Sequence, residues 1–257
     1  MPLRLTPQDR NGTITNILAN SADERGGVLE LLTERLPFAA PVAPFKLSGT
    51  VYGTLLNHKS ALAALGEKLR APPYLKAPNA PVLYLKPRNT LAVTGERVVI
   101  PQGVSELAMG ACLGLFIGST ATRLSEARAL EAVSGYLIVN DISVPHPDYY
   151  RPSVRYIARD GFCPVGPVSP RAAIDDPDAL RVRTLVDGRE VQVASTRDLV
   201  RPIRRLLTDV TEFMTLAPGD ILAVGTAAPA PMVRSGQSVK IEIDGLQSLF
   251  NNFVNAA

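Results

Sequence analysis

Twelve consecutive residues, LAMGACLGLFIG at 107–118, carry no charge; Glu106 stands just before them and the next charged residue is Arg123. A membrane helix needs roughly 20 apolar residues, and three glycines weaken this shorter run further. The run fits a buried strand flanked by turns better than a helix. A strand of this kind needs cover, and so does the β-rich GYLIVND at 135–141. That need predicts a homodimer or larger assembly. Hydrophobic residues make up 46% of the chain against 20% charged, so a sizeable core can form. At 257 residues the length suits one large domain with a small appendage.

The flanking sequence keeps the β character. VLYLK (82–86) and RVVI (97–100) read as strands. VRTLVDGREVQVA (182–194) alternates around Asp187-Gly188, a hairpin signal, and VKIEIDGLQSLF (239–250) does so around Asp244-Gly245. Helices are few. Ser60 is placed to cap one running towards Leu69, and Ser125 to cap another with Gly135 just beyond its end. A third covers roughly 202–214, with Pro202 in its first turn and Ile203, Leu206, Leu207, Val210, Phe213 and Met214 on one face. Residues 1–46 read as a small N-terminal segment, with a short helix around Val28–Leu36 and a proline-rich linker over 37–46. The fold class expected for residues 47–257 is β-dominated α+β.

Several chemistries are poorly supplied. The net charge of +3 is dispersed, which suits small anionic ligands and gives no basic block for nucleic acid. Cys112 and Cys163 stand alone, and the histidines are His58 and His146, so a structural zinc site lacks ligands. No GxSxG elbow, Walker loop or dinucleotide fingerprint is present. A bound metal would be a hard cation with oxygen ligands. Asp9 and Arg10 interrupt the start before an apolar stretch forms, so a cytoplasmic protein without a signal peptide is expected.

Four strings carry a resemblance: LYLKPRNTL (83–91), GYLIVNDIS (135–143), YYRPSVRYIARDGFCPVGP (149–167) and EFMTLAPGDILAVGT (212–226). Their order and spacing resemble the fumarylacetoacetate hydrolase family, and within it the isomerase/decarboxylase branch of homoprotocatechuate (4-hydroxyphenylacetate) degradation. The resemblance implies a mixed β-sandwich roll. It also implies a magnesium or similar divalent ion that chelates a 2-oxo acid and stabilises the dienolate formed on decarboxylation or isomerisation. The substrates implied are 5-oxopent-3-ene-1,2,5-tricarboxylate and 2-hydroxyhepta-2,4-diene-1,7-dioate.

The same resemblance locates residues. Lys86 falls at a catalytic position, and Arg151, Arg159, Tyr150 and Thr226 at substrate-binding ones. Asp160 also stands in a matching string. Arg151, Arg155 and Arg159 suit a multiply carboxylated substrate, since guanidinium groups pair bidentately with carboxylates, and equally suit a solvated loop. Aligning Ile117-Gly118 on the family's strand ending puts Gly110 and Cys112 where the Glu-x-Glu metal ligands belong. Asp141 is then the one remaining acidic ligand, or a hydrogen-bonded structural aspartate. After Leu56-Asn57, Ala61 and Ala64 occupy the lid positions of the family's His-x-x-Glu pair, and Ile157 stands where a lysine is expected. This pattern resembles the N-terminal repeat of the two-repeat enzyme as a separate polypeptide. Three readings follow: a decarboxylase/isomerase subunit with a degenerate metal site, a non-catalytic partner of a metal-binding sister chain, or an acylpyruvate-type hydrolase.

Overall fold

The computed structural model describes residues 49–72, 75–146 and 153–256. The expectations for residues 1–46, including the helix around Val28–Leu36 and the linker, lie outside these residues. In chain order the strands and helices begin with β1 (Val51–Leu55), α1 (Lys59–Leu65), β2 (Val82–Lys86), β3 (Leu91–Val93) and β4 (Arg97–Ile100). There follow β5 (Leu107–Ala108), β6 (Ala111–Ile117), β7 (Val133–Asn140), the single turn α2 (Val154–Ile157), β8 (Cys163–Val165) and β9 (Ser169–Pro170). The remainder are β10 (Arg181–Val186), β11 (Arg189–Ser195), α3 (Ile203–Phe213), β12 (Ile221–Ala223), β13 (Met232–Val233), β14 (Ser238–Ile243) and β15 (Leu249–Asn255).

Among the described residues one sheet runs β2-β1-β12-β6-β7-β8-β3, with β9 also on β7. A second runs β11-β10-β14-β15-β4. Most neighbours are antiparallel, whereas β1/β12, β3/β8 and β4/β15 are parallel. The result is the β-dominated mixed roll expected.

The uncharged run is resolved by what covers it. Ala111, Leu113, Leu115 and Ile117 alternate onto the main core, shared with Val182 and Val186 of β10 and Val239, Ile241 and Ile243 of β14. Cys112 and Phe116 point the other way, into a second core with Leu137 and Val139 of β7 and Cys163 and Val165 of β8. A strand alternates its side chains between faces, so two apolar layers demand apolar residues at every position. The cover for 107–118 and 135–141 is therefore internal. The expectation that these strands need a second copy is corrected on that point.

Local signals succeed where the turn is local. Asp187 (φ 49°) and Gly188 (φ 78°) both occupy the left-handed region that a tight two-residue hairpin demands. The Asp187 carboxylate also accepts from Ser238 N at 2.8 Å and Gln237 Nε2 at 2.9 Å. The β14/β15 hairpin forms around Asp244-Gly245 as read.

The helix expectations need three corrections. Helix α1 is capped by His58, whose Nδ1 accepts from Ser60 N at 3.2 Å, and gives way at Gly66 to a 3-10 turn through Arg70. Ser60 itself accepts from Ala228 N through its hydroxyl. Residues 126–132 are 3-10 rather than α, and Ser125 makes no side-chain cap. Helix α3 buries Ile203, Leu206, Leu207 and Val210 as expected, but Phe213 at its last turn is 64% exposed.

Candidate functional site

The β6/β7 ladder ends at the pair Ala111–Asn140, and one step further the backbone opens into a polar cluster. There Asp141 N donates to Gly110 O at 2.8 Å, and Gly110 N donates to the Asn140 side chain at 3.1 Å. Asn140 thus uses its amide to bridge the strand end, a role its sequence did not announce. Gly110 lies so near that a Cβ there would sit 2.5 Å from Asp141 O and 3.0 Å from Thr226 Cγ2. Gly110, Asp141 and Thr226 accordingly meet at one place.

Two side chains from β2 complete the cluster. Tyr84 and Lys86 are two apart on a strand, so they share a face. Tyr84 donates its hydroxyl to Asp141 Oδ2, and Lys86 Nζ lies 2.6 Å from Asp141 Oδ1. Lys86 Nζ also donates to the carbonyls of Ile142 (2.8 Å), Ile157 (3.0 Å) and Phe162 (3.1 Å). These contacts require the first sheet to curl, because β2 stands at one end of the strand order while Phe162 precedes β8 near the other. Curling also leaves a crowded inner surface. A Cβ on Gly53 of β1 would fall onto the Tyr84 ring, so that glycine makes room for the tyrosine.

The electrostatics are those of a nearly dry pocket. The Lys86 side chain is 2% exposed and that of Asp141 15%. Burial, and then the Asp141 carboxylate, hold the Tyr84 hydroxyl protonated far above the ordinary tyrosine range. Burial likewise raises the Cys112 thiol, with Asp141 and Cys163 adding to the shift. The Cys163 thiol is pushed up to about 12, again chiefly by burial, with Lys86 opposing. Both cysteines are buried neutral thiols, poor donors to a hard cation.

Arg159 turns onto its own segment, where its Nε donates to Arg155 O at 3.0 Å. Asp160 accepts from Asn89 Nδ2 at 2.7 Å, and the same amide reaches Ala158 O, so Asn89 and Lys86 together tie down this loop. His146 stacks on Tyr156, ring centroids 4.7 Å apart. Tyr150 and Arg151 lie outside the described residues. Tyr84 is the participant sequence reasoning missed; its spacing of two from Lys86 was the available signal. Among the described residues, no three His, Cys, Asp or Glu side chains gather in a way able to hold a metal ion.

Comparison with known proteins adds to this geometry. The family model described as fumarylacetoacetate (FAA) hydrolase C-terminal matches residues 50–254. The 4-hydroxyphenylacetate degradation bifunctional isomerase/decarboxylase of Salmonella dublin is 39% identical over 208 residues, covering 81% of this chain and 48% of that protein. The chain therefore spans about half the length of the curated relatives it matches. Among solved structures, 2-hydroxyhepta-2,4-diene-1,7-dioate isomerase from Mycobacterium marinum superposes with TM-score 0.66 at 27% identity, covering 82% of this chain and 76% of that one. A fumarylpyruvate hydrolase from Pseudomonas aeruginosa, solved with Mn2+ and pyruvate, has TM-score 0.70 at 22% identity over 80% and 90% of the two chains, a likeness of fold.

Proposed function

The chain belongs to the fumarylacetoacetate hydrolase family, and from that premise we propose that it serves as a subunit in isomerase/decarboxylase chemistry on small anionic dienoates. The substrates are 5-oxopent-3-ene-1,2,5-tricarboxylate and its product 2-hydroxyhepta-2,4-diene-1,7-dioate, in 4-hydroxyphenylacetate breakdown. The observation that carries this reading is the 39% identity to the Salmonella isomerase/decarboxylase over 208 residues, 81% of this chain. The Mycobacterium marinum isomerase of similar fold supports the same substrate class.

The divalent ion implied by the family does not fit the residues present. A hard dication needs several convergent oxygen ligands, and positions 110 and 112 offer a glycine and a buried neutral thiol. Of the remaining carboxylate, Asp141, Oδ2 accepts from Tyr84, while Oδ1 faces the Lys86 ammonium at 2.6 Å as an ion pair without a hydrogen bond. What the chain's own residues supply is binding and shape. Arg151 and Arg159 pair with substrate carboxylates, and Thr226 stands beside Gly110, its methyl nearest. Lys86 has four oxygen neighbours for three N–H bonds, which leaves it saturated. Its role is to hold the backbone at Ile142, Ile157 and Phe162, beside Arg159.

That saturation favours a second reading, in which catalysis belongs to a sister chain with the Glu-x-Glu pair intact and this chain acts as its partner. Decarboxylation and isomerisation, followed by loss of the dienoate absorbance, should be measured on the purified chain alone and after mixing with such a sister. Turnover only in the mixture identifies the partner role. Full turnover by the isolated chain identifies an autonomous enzyme. Neither activity in either sample, with the mixture confirmed to associate, refutes the assignment to this chemistry.

A further inference from the structure

We infer that the Tyr84–Asp141–Lys86 cluster, closed in by Gly53 and Gly110, leaves the family's divalent ion no site in this chain, and that restoring the two glutamates alone cannot reopen one. The inference rests on the family reading above, which is what places a metal here. It concerns this chain's own residues and is independent of whether the chain turns over any substrate.

The Lys86 ammonium sits among oxygens of the kind a cation attracts: Asp141 Oδ1 and the carbonyls of Ile142, Ile157 and Phe162, at 2.6 to 3.1 Å. It pairs with Asp141 and draws the carbonyls of Ile142, Ile157 and Phe162 onto one ammonium, adding to the direct Ile142 N to Phe162 O hydrogen bond. A dication approaching Asp141 would meet this ammonium at short range in a nearly dry pocket, where like charges repel strongly. It would also have to displace the Tyr84 hydroxyl from Oδ2.

Both glycines belong to the same arrangement. Gly53 leaves the space that the Tyr84 ring fills, and so lets the hydroxyl reach Asp141. Gly110 lets its strand end approach Asp141 until a Cβ would lie 2.5 Å from the Asp141 carbonyl oxygen. Real Cβ atoms do not approach a backbone oxygen so closely, and backbone cannot rotate aside as a flexible side chain can. A glutamate at 110 therefore needs the two strand ends to separate before its carboxylate can contribute. The metal position is lost in the backbone as well as in the side chains.

The test uses the full chain and reads metal and stability. Mn2+ binding is measured by electron paramagnetic resonance of the free ion, and Tm is recorded with Mn2+, with Mg2+ and with chelator. The expected result is no stoichiometric Mn2+ uptake and the same Tm in all three conditions. Lys86→Met should lower Tm by several degrees, as should the milder Tyr84→Phe to a smaller extent. The double variant Gly110→Glu/Cys112→Glu should take up no stoichiometric Mn2+ and melt below the parent. Stoichiometric Mn2+ on the parent that is lost in Asp141→Asn overturns the inference, and so does a chelator-sensitive Tm. Lys86→Met with an unchanged Tm does the same, as does a double variant that binds Mn2+ at the parent's Tm. If the double variant does not fold, the parent and the two single variants still decide the matter. Absence of dienoate turnover both alone and in a confirmed mixture with the sister chain would refute the proposed function and leave this inference standing, whereas metal uptake would do the reverse.

Discussion

Asn57 is buried and works entirely through hydrogen bonds. Its Nδ2 donates to Val224 O at 2.8 Å and Arg201 O at 3.2 Å, and its Oδ1 accepts from Arg201 N at 2.9 Å. Truncation leaves the buried Val224 carbonyl without its partner, which by itself costs about 1–3 kcal/mol. Asn57→Ala should therefore lower the denaturation midpoint at unchanged m-value in urea unfolding. Gly110 makes the complementary point, because there the added atom is the problem. A methyl 2.5 Å from Asp141 O must move backbone, so Gly110→Ala should cost about 1–3 kcal/mol through overpacking. Equal stability of Gly110→Ala and parent would show that the strand ends part easily.

At the scale of elements, α1 carries a titrating cap. His58 is buried, and desolvation lowers its pKa from the ordinary 6.5, with Asp198 and the Ser195 backbone opposing. Between that lowered value and 6.5 the unfolded chain holds more protons than the folded one, so stability rises with pH across the window. His58's contribution is complete above 6.5 and is lost as pH falls through the folded value. Asparagine caps helices as well and does not titrate near neutrality. The Tm difference between parent and His58→Asn should accordingly shift against the parent on acidification from about pH 7.5 to about 5. A difference constant across that range would mean the imidazole is not held neutral. The β10/β11 hairpin gives a second element-level expectation. Gly188 at φ 78° accepts a side chain only with strain, so Gly188→Ala should cost roughly 1–2 kcal/mol in chemical unfolding.

For the whole molecule, the apolar surface that remains is elsewhere than on 107–118. Val82 and Leu85 on β2, Val99 on β4, and Val191 and Val193 on β11 are exposed, and β2 and β11 are edge strands of their sheets among the described residues. Edge strands with outward valines favour association. We propose that the chain forms a homodimer or larger assembly, or pairs with a sister subunit. Sedimentation at micromolar concentration should show a mass above 27.5 kDa, and Val193→Lys should shift it downward if β11 takes part. A parent that sediments as a clean monomer, alone and with the sister chain, would refute this. Among the described residues no helix is long and apolar enough to cross a membrane.

The sequence by itself determined what depends on neighbours along the chain. The Asp187-Gly188 hairpin was legible because both turn residues adopt left-handed backbone that this pair tolerates. Strand β6 was legible because no charge interrupts it, and helix α3 because its apolar positions recur with helical period. That positions 110 and 112 carry no carboxylate was also readable, since residue type is a local fact. Helix α1's cap was misjudged by two residues, because a buried histidine took the role usual for serine. Only the tertiary structure decided what those residues do together. Lys86 reaches residues 56, 71 and 76 positions away, and Tyr84 one 57 away, because the sheet curls its β2 end towards β8. No pattern in a linear sequence encodes how far a twisted sheet curls; that depends on the summed packing of two cores against the faces of β6. The same curl set a lysine and a tyrosine against Asp141, so whether that aspartate awaits a metal or already has its cation was decided by the fold.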